Sequence, residues 1–286
     1  MSRVILVRKH SAWEQYHANG EAAVGQLSLA TRVRMEGSHR RHTDTVKLVL
    51  EVLASLKVKP WIVEGADSNF KTARGDLVIT VGGDGTVLSA SHNIGPTAFL
   101  FAINSDPVLS RGRFCHVYSR RSNLTQALKN ALSKKRKVTM IPRMTVKIDH
   151  EVVSERVLNE ALFSHTCPAA MTRVAPPGKL RYACSGLWIG TGAGSTGAIR
   201  SAGGRILPIH SKYLQTVVRE PCGHEVTGAL IWQAEKFQFT SLTQDATLFL
   251  DGPFLRVPVG FEQVMRFEIS DEPLPMVGPL PRCPLP

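Results

Sequence analysis

The sequence predicts two joined folds: an N-terminal Rossmann-like α/β unit and, after it, an all-β, sandwich-like unit. Three observations carry this expectation. Apolar strand-like runs alternate with helical patterns as far as Ile103; a glycine-rich loop interrupts that alternation directly after one strand; and beyond Val138 strand-like runs follow one another with few helical stretches.

RVILVR at 3–8 reads as a buried strand, and residues 43–57 put Val46, Val49, Leu50, Leu53 and Leu56 on one face of a helix. The intervening stretch from His10 to Ser38 is too long for an ordinary loop. A weak helical pattern around Trp13 to Ala18 makes it a flap or a partly disordered segment. PWIVEG at 60–65, DLVITV at 76–81 and TAFLFAI at 97–103 read as strands, with a short helix at 86–92 between the last two. A helix over 122–133 ends in the cationic run KKRK at 134–137, a solvated helix end whose charges suit the C-terminal dipole. Runs from VTMIPRMTVKIDH at 138–150 to MRFEIS at 265–270 then read as strands separated by turn residues. The expected domains are 1–120 and 121–264, with a tail, 265–286, that returns to the first domain or hangs free.

At 286 residues with 43% apolar side chains, the chain can bury a substantial core. No apolar run approaches the roughly 20 residues that cross a bilayer, so a soluble protein with no membrane partner is expected. The opening MSRVILVRKH is too short in apolar character for a secretory signal, which makes a cytoplasmic location the default. Five scattered cysteines, never paired at metal-ligand spacing, argue against a disulfide framework or a protein-built metal site. The net charge of +12 favours anionic partners. Neither HRRH at 39–42 nor KKRK is interleaved with aromatics, so nucleic acid is not the expected partner.

In open parallel sheets ligands bind beyond the carboxyl ends of strands, which is where GGDGT at 82–86 falls. Backbone N–H groups of Gly82, Gly83 and Gly85, followed by a helix N-terminus, form a concave anion site suited to phosphate. A carboxylate there, Asp84, repels its guest unless it pairs with a metal or takes a proton from an attacking hydroxyl. Alternatively it caps the helix. A second glycine-rich stretch, CSGLWIGTGAGSTGAIRSAGG at 184–204, offers a small-residue surface for a flat ligand. Ser195 and Thr196, with the backbone of Gly194 and Gly197, can donate there to phosphate or ribose. Between the two loops, Asn159 and Glu160 break a strand-like run with adjacent polar side chains suited to an adenine or ribose edge.

GGDGT at 82–86, NE at 159–160 and the GST loop with its trailing SAGG at 194–204 together resemble the NAD kinase family, over most of the chain. GGDGT alone is shared with diacylglycerol kinase, sphingosine kinase and phosphofructokinase relatives. NSDP at 104–107, REP at 219–221 and RRHTDTV at 40–46 look most like the mitochondrial and plant NADH-preferring subgroup. The resemblance implies transfer of a phosphoryl group from ATP, or inorganic polyphosphate, to the adenosine 2′-hydroxyl of NAD or NADH, with Mg²⁺ accompanying the ATP. It makes Asp84 the residue that orients or deprotonates that hydroxyl, with Gly82, Gly83, Gly85 and Thr86 shaping the phosphate loop. By the same resemblance Asn159 and Glu160 hold adenine and ribose, Thr196, Gly197 and Ser201 line the dinucleotide pocket, and Asp251 in LDGP is a further site residue. A homodimer or homotetramer is implied too.

Two departures stand out. Ala198 replaces the aromatic residue usual after the GST loop, and Ser185 replaces the aspartate usual upstream. Both bear on the nicotinamide half, and they fit a neutral dihydropyridine in place of a cation. Arg111, Arg113, Arg200 and Arg205 lie near the motifs and could contact phosphates, or serve as solvated surface groups. His92 and His165 read as packed or hydrogen-bonded residues. The alternatives are a lipid kinase acting on diacylglycerol or sphingosine, and a catalytically inactive dinucleotide-binding regulator.

Overall fold

The computed structural model describes residues 2–18, 20, 25–65, 69–110, 112–118, 120–178, 180–222, 231–253 and 255–280. The chain divides into two compact units: residues 1–139 with 275–286, and residues 140–274.

The first unit is built on parallel strands. β1 (Val4–Arg8), β2 (Trp61–Glu64), β3 (Leu77–Gly82) and β4 (Phe99–Asn104) pair in parallel in the order β2-β1-β3-β4. β18 (Leu274–Val277) joins β4 in parallel, and β5 (Val138–Ile141) completes the six-stranded sheet. Every residue of β3 is buried, as its run, apolar but for Thr80 before the closing glycine, requires of a central strand covered on both faces. The helices are α1 (Ala12–Ala18), α2 (Leu29–Ser55), α3 (Asp84–Ser91) and α4 (Arg121–Leu132). Val49, Val52 and Leu53 of α2 share a core with Leu124 and Leu128 of α4 and with Leu6, Ile79 and Phe101 of the sheet.

Part of the 10–38 stretch is ordered helix rather than flap. α2 begins at Leu29, where the Ser28 hydroxyl accepts the Thr31 N–H at 3.2 Å. Its early turns have no periodic apolar face; polar contacts anchor them. Arg41 makes a two-pronged contact with Asp106 at 2.7 and 3.1 Å, Ser38 donates to Asp106 at 2.5 Å, and His42 Nδ1 pairs with the Ser105 hydroxyl at 2.9 Å. Burial pushes the Asp106 carboxyl upward, but hydrogen bonds from Arg41 and Ser38 prevail and hold it below its ordinary range.

Two boundaries move. The first unit extends to Thr139 rather than ending at 120, because α4 buries Leu124, Leu128 and Ala131 in that unit's core. The 265–286 tail is not one segment: β17 (Val264–Ile269) lies in the second unit, and only the chain from Pro275 belongs to the first. The end of the tail, 281–286, is outside the described residues.

The second unit is a sandwich of two six-stranded sheets. One runs β10 (Tyr182–Cys184), β9 (Thr172–Ala175), β14 (Lys236–Ser241), β17, β6 (Met144–Ile148), β7 (Glu151–Val157). The other runs β13 (Ile231–Ala234), β12 (Leu214–Arg219), β11 (Gly186–Gly190), β8 (Glu160–His165), β15 (Ala246–Leu250), β16 (Leu255–Val259). All the strand pairs traced in both sheets are antiparallel. Alternating residues meet in one core: Phe239, Met265 and Phe267 from the first sheet pack with Phe163, Ile189 and Leu248 from the second. Burying each such side chain contributes about 1.5–3 kcal/mol, so this face holds the sheets together. No helix among the described residues is long and apolar enough to cross a membrane.

Candidate functional site

In the first unit, β3 ends at Gly82 and α3 starts two residues later at Asp84. A side chain at Gly82 would collide with that of buried Thr86, and a Cβ at Gly83 would stand 2.9 Å from the Ser110 hydroxyl. The bend therefore has to be bare to close. Gly85 is different: it is exposed, and a Cβ there would meet nothing within 4 Å. The protein's own packing does not explain it, whereas close approach of a ligand to the backbone does.

Asp84 does not cap its own helix. Its carboxylate accepts the Arg113 N–H at 2.6 Å and the Phe114 N–H at 3.2 Å, so both oxygens are fixed by the chain beyond β4. That stretch is held by Asn104, whose Nδ2 donates to the Ser110 carbonyl at 2.9 Å while its Oδ1 accepts the Asp106 N–H at 2.9 Å. A Cβ at Gly112 would overlap the Asp84 carboxylate. Gly112→Ala is therefore expected to displace the Asp84 carboxylate and to lower any activity that depends on it at least about tenfold, with a stability change of only about 1 kcal/mol because Gly112 is half-exposed. Paired steady-state kinetics and thermal unfolding read the two effects apart.

In the second unit, the polar pair at the start of β8 sits on a scaffold supplied from far along the chain. The buried Asp251 carboxylate accepts three consecutive N–H groups, from Leu158 at 2.7 Å, Asn159 at 2.6 Å and Glu160 at 3.3 Å. Its own N–H returns to the Glu160 carbonyl at 2.9 Å. To make this turn Asp251 takes a left-handed backbone, φ +53°. Asp251, expected as a further site residue, holds the NE turn in position.

The glycine loop lies directly on that turn. The Thr191 hydroxyl donates to the Leu158 carbonyl at 2.6 Å, and the Thr191 N–H to the Asn159 carbonyl at 2.9 Å. A side chain at Gly194 would collide with the Asn159 backbone carbonyl and reach within 2.8 Å of Glu160 Oε2; one at Gly197 would stand 3.7 Å from the same oxygen. Asn159 Oδ1 and Glu160 Oε2 are buried with no hydrogen-bond partner, the latter against the loop at Gly194 and Gly197. Such atoms are costly unless a ligand supplies their partners. Burial, then the neighbouring Asp251 charge, pushes the Glu160 carboxyl up to about 8.

The remaining loop residues divide. Ser195, expected to donate to a ligand, is fully buried; its hydroxyl donates to the Gly192 carbonyl at 2.8 Å and accepts the Leu207 N–H at 3.0 Å, locking the loop. Thr196 is half-buried, while Gly197 and Ser201 are exposed. The Ser185 hydroxyl donates to the carboxylate of Glu220, so a carboxylate does stand beside the position where the family's aspartate is missing. His165 Nδ1 accepts the Cys167 N–H at 2.9 Å, a hydrogen-bonded histidine as expected. Arg200 and Arg205 are exposed, Arg113 contributes its backbone, and Arg111 lies outside the described residues.

Sequence reasoning missed the backbone donors of Arg113 and Phe114, Thr191 and Glu220. Thr191 alone carried a signal, as a hydroxyl within the glycine-rich stretch.

No protein-family model matches the chain. A probable NADH kinase of Oryza sativa subsp. japonica is 30% identical over 74% of this chain and 74% of its own length. An NADH kinase of Arabidopsis thaliana is 30% identical over 76% and 77%. The fold matches that of an NAD kinase from Archaeoglobus fulgidus in complex with ATP, with a TM-score of 0.65, 22% identity, and coverage of 96% of this chain and 93% of that one. It also matches yeast NADH kinase complexed with NADH, at 0.66, 14%, 97% and 84%. With the glycine bend, the NE turn and the small-residue loop in the same order, the chain belongs to the NAD kinase family.

Proposed function

We propose that this protein is an NAD(H) kinase that moves the γ-phosphoryl group of ATP to the adenosine 2′-hydroxyl of NAD or NADH, giving NADP or NADPH. The observation that carries the reading is the two buried, partnerless polar atoms of the NE turn, Asn159 Oδ1 and Glu160 Oε2, with a loop stripped of side chains packed on that turn. A nucleoside offers the hydroxyl and amine donors those atoms lack.

The chemistry asks for alignment more than for covalent participation. Asp84, its carboxylate fixed by two backbone N–H groups, orients the incoming hydroxyl and takes its proton as the bond to phosphorus forms. Asn159 and Glu160 hold the adenosine, and the exposed glycines let phosphates reach the backbone. Among the described residues no cluster of three or more His, Cys, Asp or Glu could cage a metal. Mg²⁺ needs no such cage, since one or two carboxylates and the nucleotide's phosphates suffice, and Asp84 retains lone pairs for it. Bound there, the ion would neutralise charge spreading over the transferred group.

The plant relatives are named NADH kinases, and the loss of an aromatic ring at Ala198 suits an uncharged dihydropyridine; both support a preference for NADH. We extend the reading to a cytoplasmic homo-oligomer, a compartment supported by the free thiols of Cys115, Cys167, Cys184 and Cys222.

Purified protein with Mg²⁺, NAD or NADH, and either ATP or polyphosphate should form NADP or NADPH, faster from NADH at equal concentration. Absence of product with every donor, or phosphorylation of diacylglycerol or sphingosine instead, would sink the assignment.

A further inference from the structure

A cavity of about 480 Å³ opens in the first unit, with none of its lining residues drawn from the glycine bend at 82–86. Three consecutive cations, Lys135, Arg136 and Lys137, line it, and no carboxylate does so among the described residues. The sequence leads one to expect a solvated helix end here. Instead α4 stops at Leu132, Ser133 turns to extended backbone, and Arg136 folds inward. Its Nε donates to the Ser133 carbonyl at 2.9 Å, and its guanidinium lies 4.3 Å from the centre of the Phe99 ring.

The decisive atom is Arg136 Nη1, which is buried and has no hydrogen-bond partner. Burial pushes the guanidinium below its ordinary pKa with no counter-charge to offset it. A desolvated guanidinium N–H without a hydrogen-bond partner gains a charge-assisted hydrogen bond when an anionic acceptor reaches it. Lys135 and Lys137, both exposed, add charge at the same place.

The rest of the wall is aromatic. Phe101 and His116 stack with ring centres 6.3 Å apart at 19°, and Tyr118 lies 6.0 Å from the first and 6.1 Å from the second. Burial depresses the His116 pKa, against a hydrogen bond to the Pro279 backbone, and pushes the Tyr118 phenol up to about 12. Both rings are therefore uncharged near neutral pH, and the cavity pairs a neutral ring wall with a cationic floor.

The segment carrying those rings also holds Asp84. Arg113 and Phe114 give their N–H groups to the Asp84 carboxylate, and the next residues run beside β4, with His116 N–H to Ala102 at 3.0 Å and Asn104 N–H to His116 at 2.8 Å. His116 and Tyr118 then line the cavity.

We propose that this cavity is an effector site for a small aromatic phosphate, its phosphate on Arg136 and its ring against Phe101, His116 and Tyr118, which acts on turnover through the 113–118 segment. The volume suits a molecule of mononucleotide size or smaller. The effect on turnover rests on the kinase reading; the binding does not.

Phenyl phosphate is the probe, titrated calorimetrically into the wild-type chain, into Arg136→Gln, into Lys135→Gln/Lys137→Gln and into Asp84→Asn, each checked by thermal unfolding. Wild type and Asp84→Asn are expected to bind equally, and both cation variants at least about tenfold more weakly, the loss expected when charge-assisted hydrogen bonds go. The lysine pair is exposed and its variant folds independently of Arg136 packing, so a misfolded Arg136→Gln does not remove the test. Inorganic phosphate should bind about tenfold more weakly than phenyl phosphate, because it leaves the rings unused. Saturating phenyl phosphate should change wild-type turnover by at least about twofold and leave the lysine-pair variant unmoved. Equal binding of inorganic phosphate, binding untouched by the cation variants, or binding lost in Asp84→Asn overturns the site. Unaltered wild-type turnover in an active enzyme overturns its effector role. A chain that binds the probe but phosphorylates neither dinucleotide points instead to a failed kinase assignment.

Discussion

Asp84→Asn is expected to lower kcat by at least about a hundredfold, with KM for the dinucleotide changed by no more than a few fold. Asparagine keeps the size of the side chain and one acceptor oxygen, so it can still receive one of the two N–H groups that Arg113 and Phe114 now donate. Its amide nitrogen then faces the other N–H, donor against donor. That mismatch costs about 1–2 kcal/mol, too little to unfold a domain whose core is formed elsewhere. What asparagine cannot do is accept a proton from the attacking hydroxyl. The loss therefore belongs to the chemical step, and single-turnover measurements at saturating substrate should carry all of it. Full activity in the folded variant would take Asp84 out of the reaction. A variant that loses binding rather than rate would make it a structural residue of the bend.

The pieces that were legible in the sequence are the ones whose causes are local. β3 is apolar but for Thr80, and the bend after it announces itself because side chains at Gly82 and Gly83 would crowd Thr86 and Ser110. Four of the first unit's parallel strands could be read in this way. The start of α2 could not, since its anchors are polar contacts from Ser38 and Arg41 to Asp106, some 65 residues on, and no periodicity records them. α4 was correctly placed as a helix but assigned to the wrong domain, because its apolar stripe does not say which surface it will meet. β17 was lost to the tail for the same reason: its partners, β14 and β6, are distant in sequence.

The site shows the same division. Asn159 and Glu160 are conspicuous as adjacent polar residues in a strand-like run, but Asp251, which holds their backbone, lies 91 to 93 positions away. Ser195 looked like a ligand donor because hydroxyls in a glycine loop commonly are. Only the fold reveals that its hydroxyl closes the loop on Gly192 and Leu207.

Glu160 supplies a test that joins stability to binding. Burial, and then the Asp251 charge, raise its carboxyl to about 8, against an ordinary value of 4.5. The folded chain therefore keeps a proton that the unfolded chain releases above its own, lower pKa. Stability from this group is fully present below about pH 4.5 and is lost progressively as pH rises through about 8. Glu160→Gln mimics the protonated acid and cannot ionise, so it escapes that loss. Measured from pH 5 to pH 8, the variant should gain on the wild type by on the order of 3 kcal/mol. Comparing the two proteins cancels every other titrating group, and parallel stability curves would show that the carboxyl is not perturbed. Removing the side chain altogether tells on the ligand: Glu160→Ala should raise KM for the dinucleotide by about tenfold to a hundredfold, the effect of deleting a buried hydrogen-bonding partner, while leaving the rate at saturation within a few fold. A residue that merely filled space would move stability in that variant and leave KM alone, so the two substitutions together distinguish a strained binding group from an inert one.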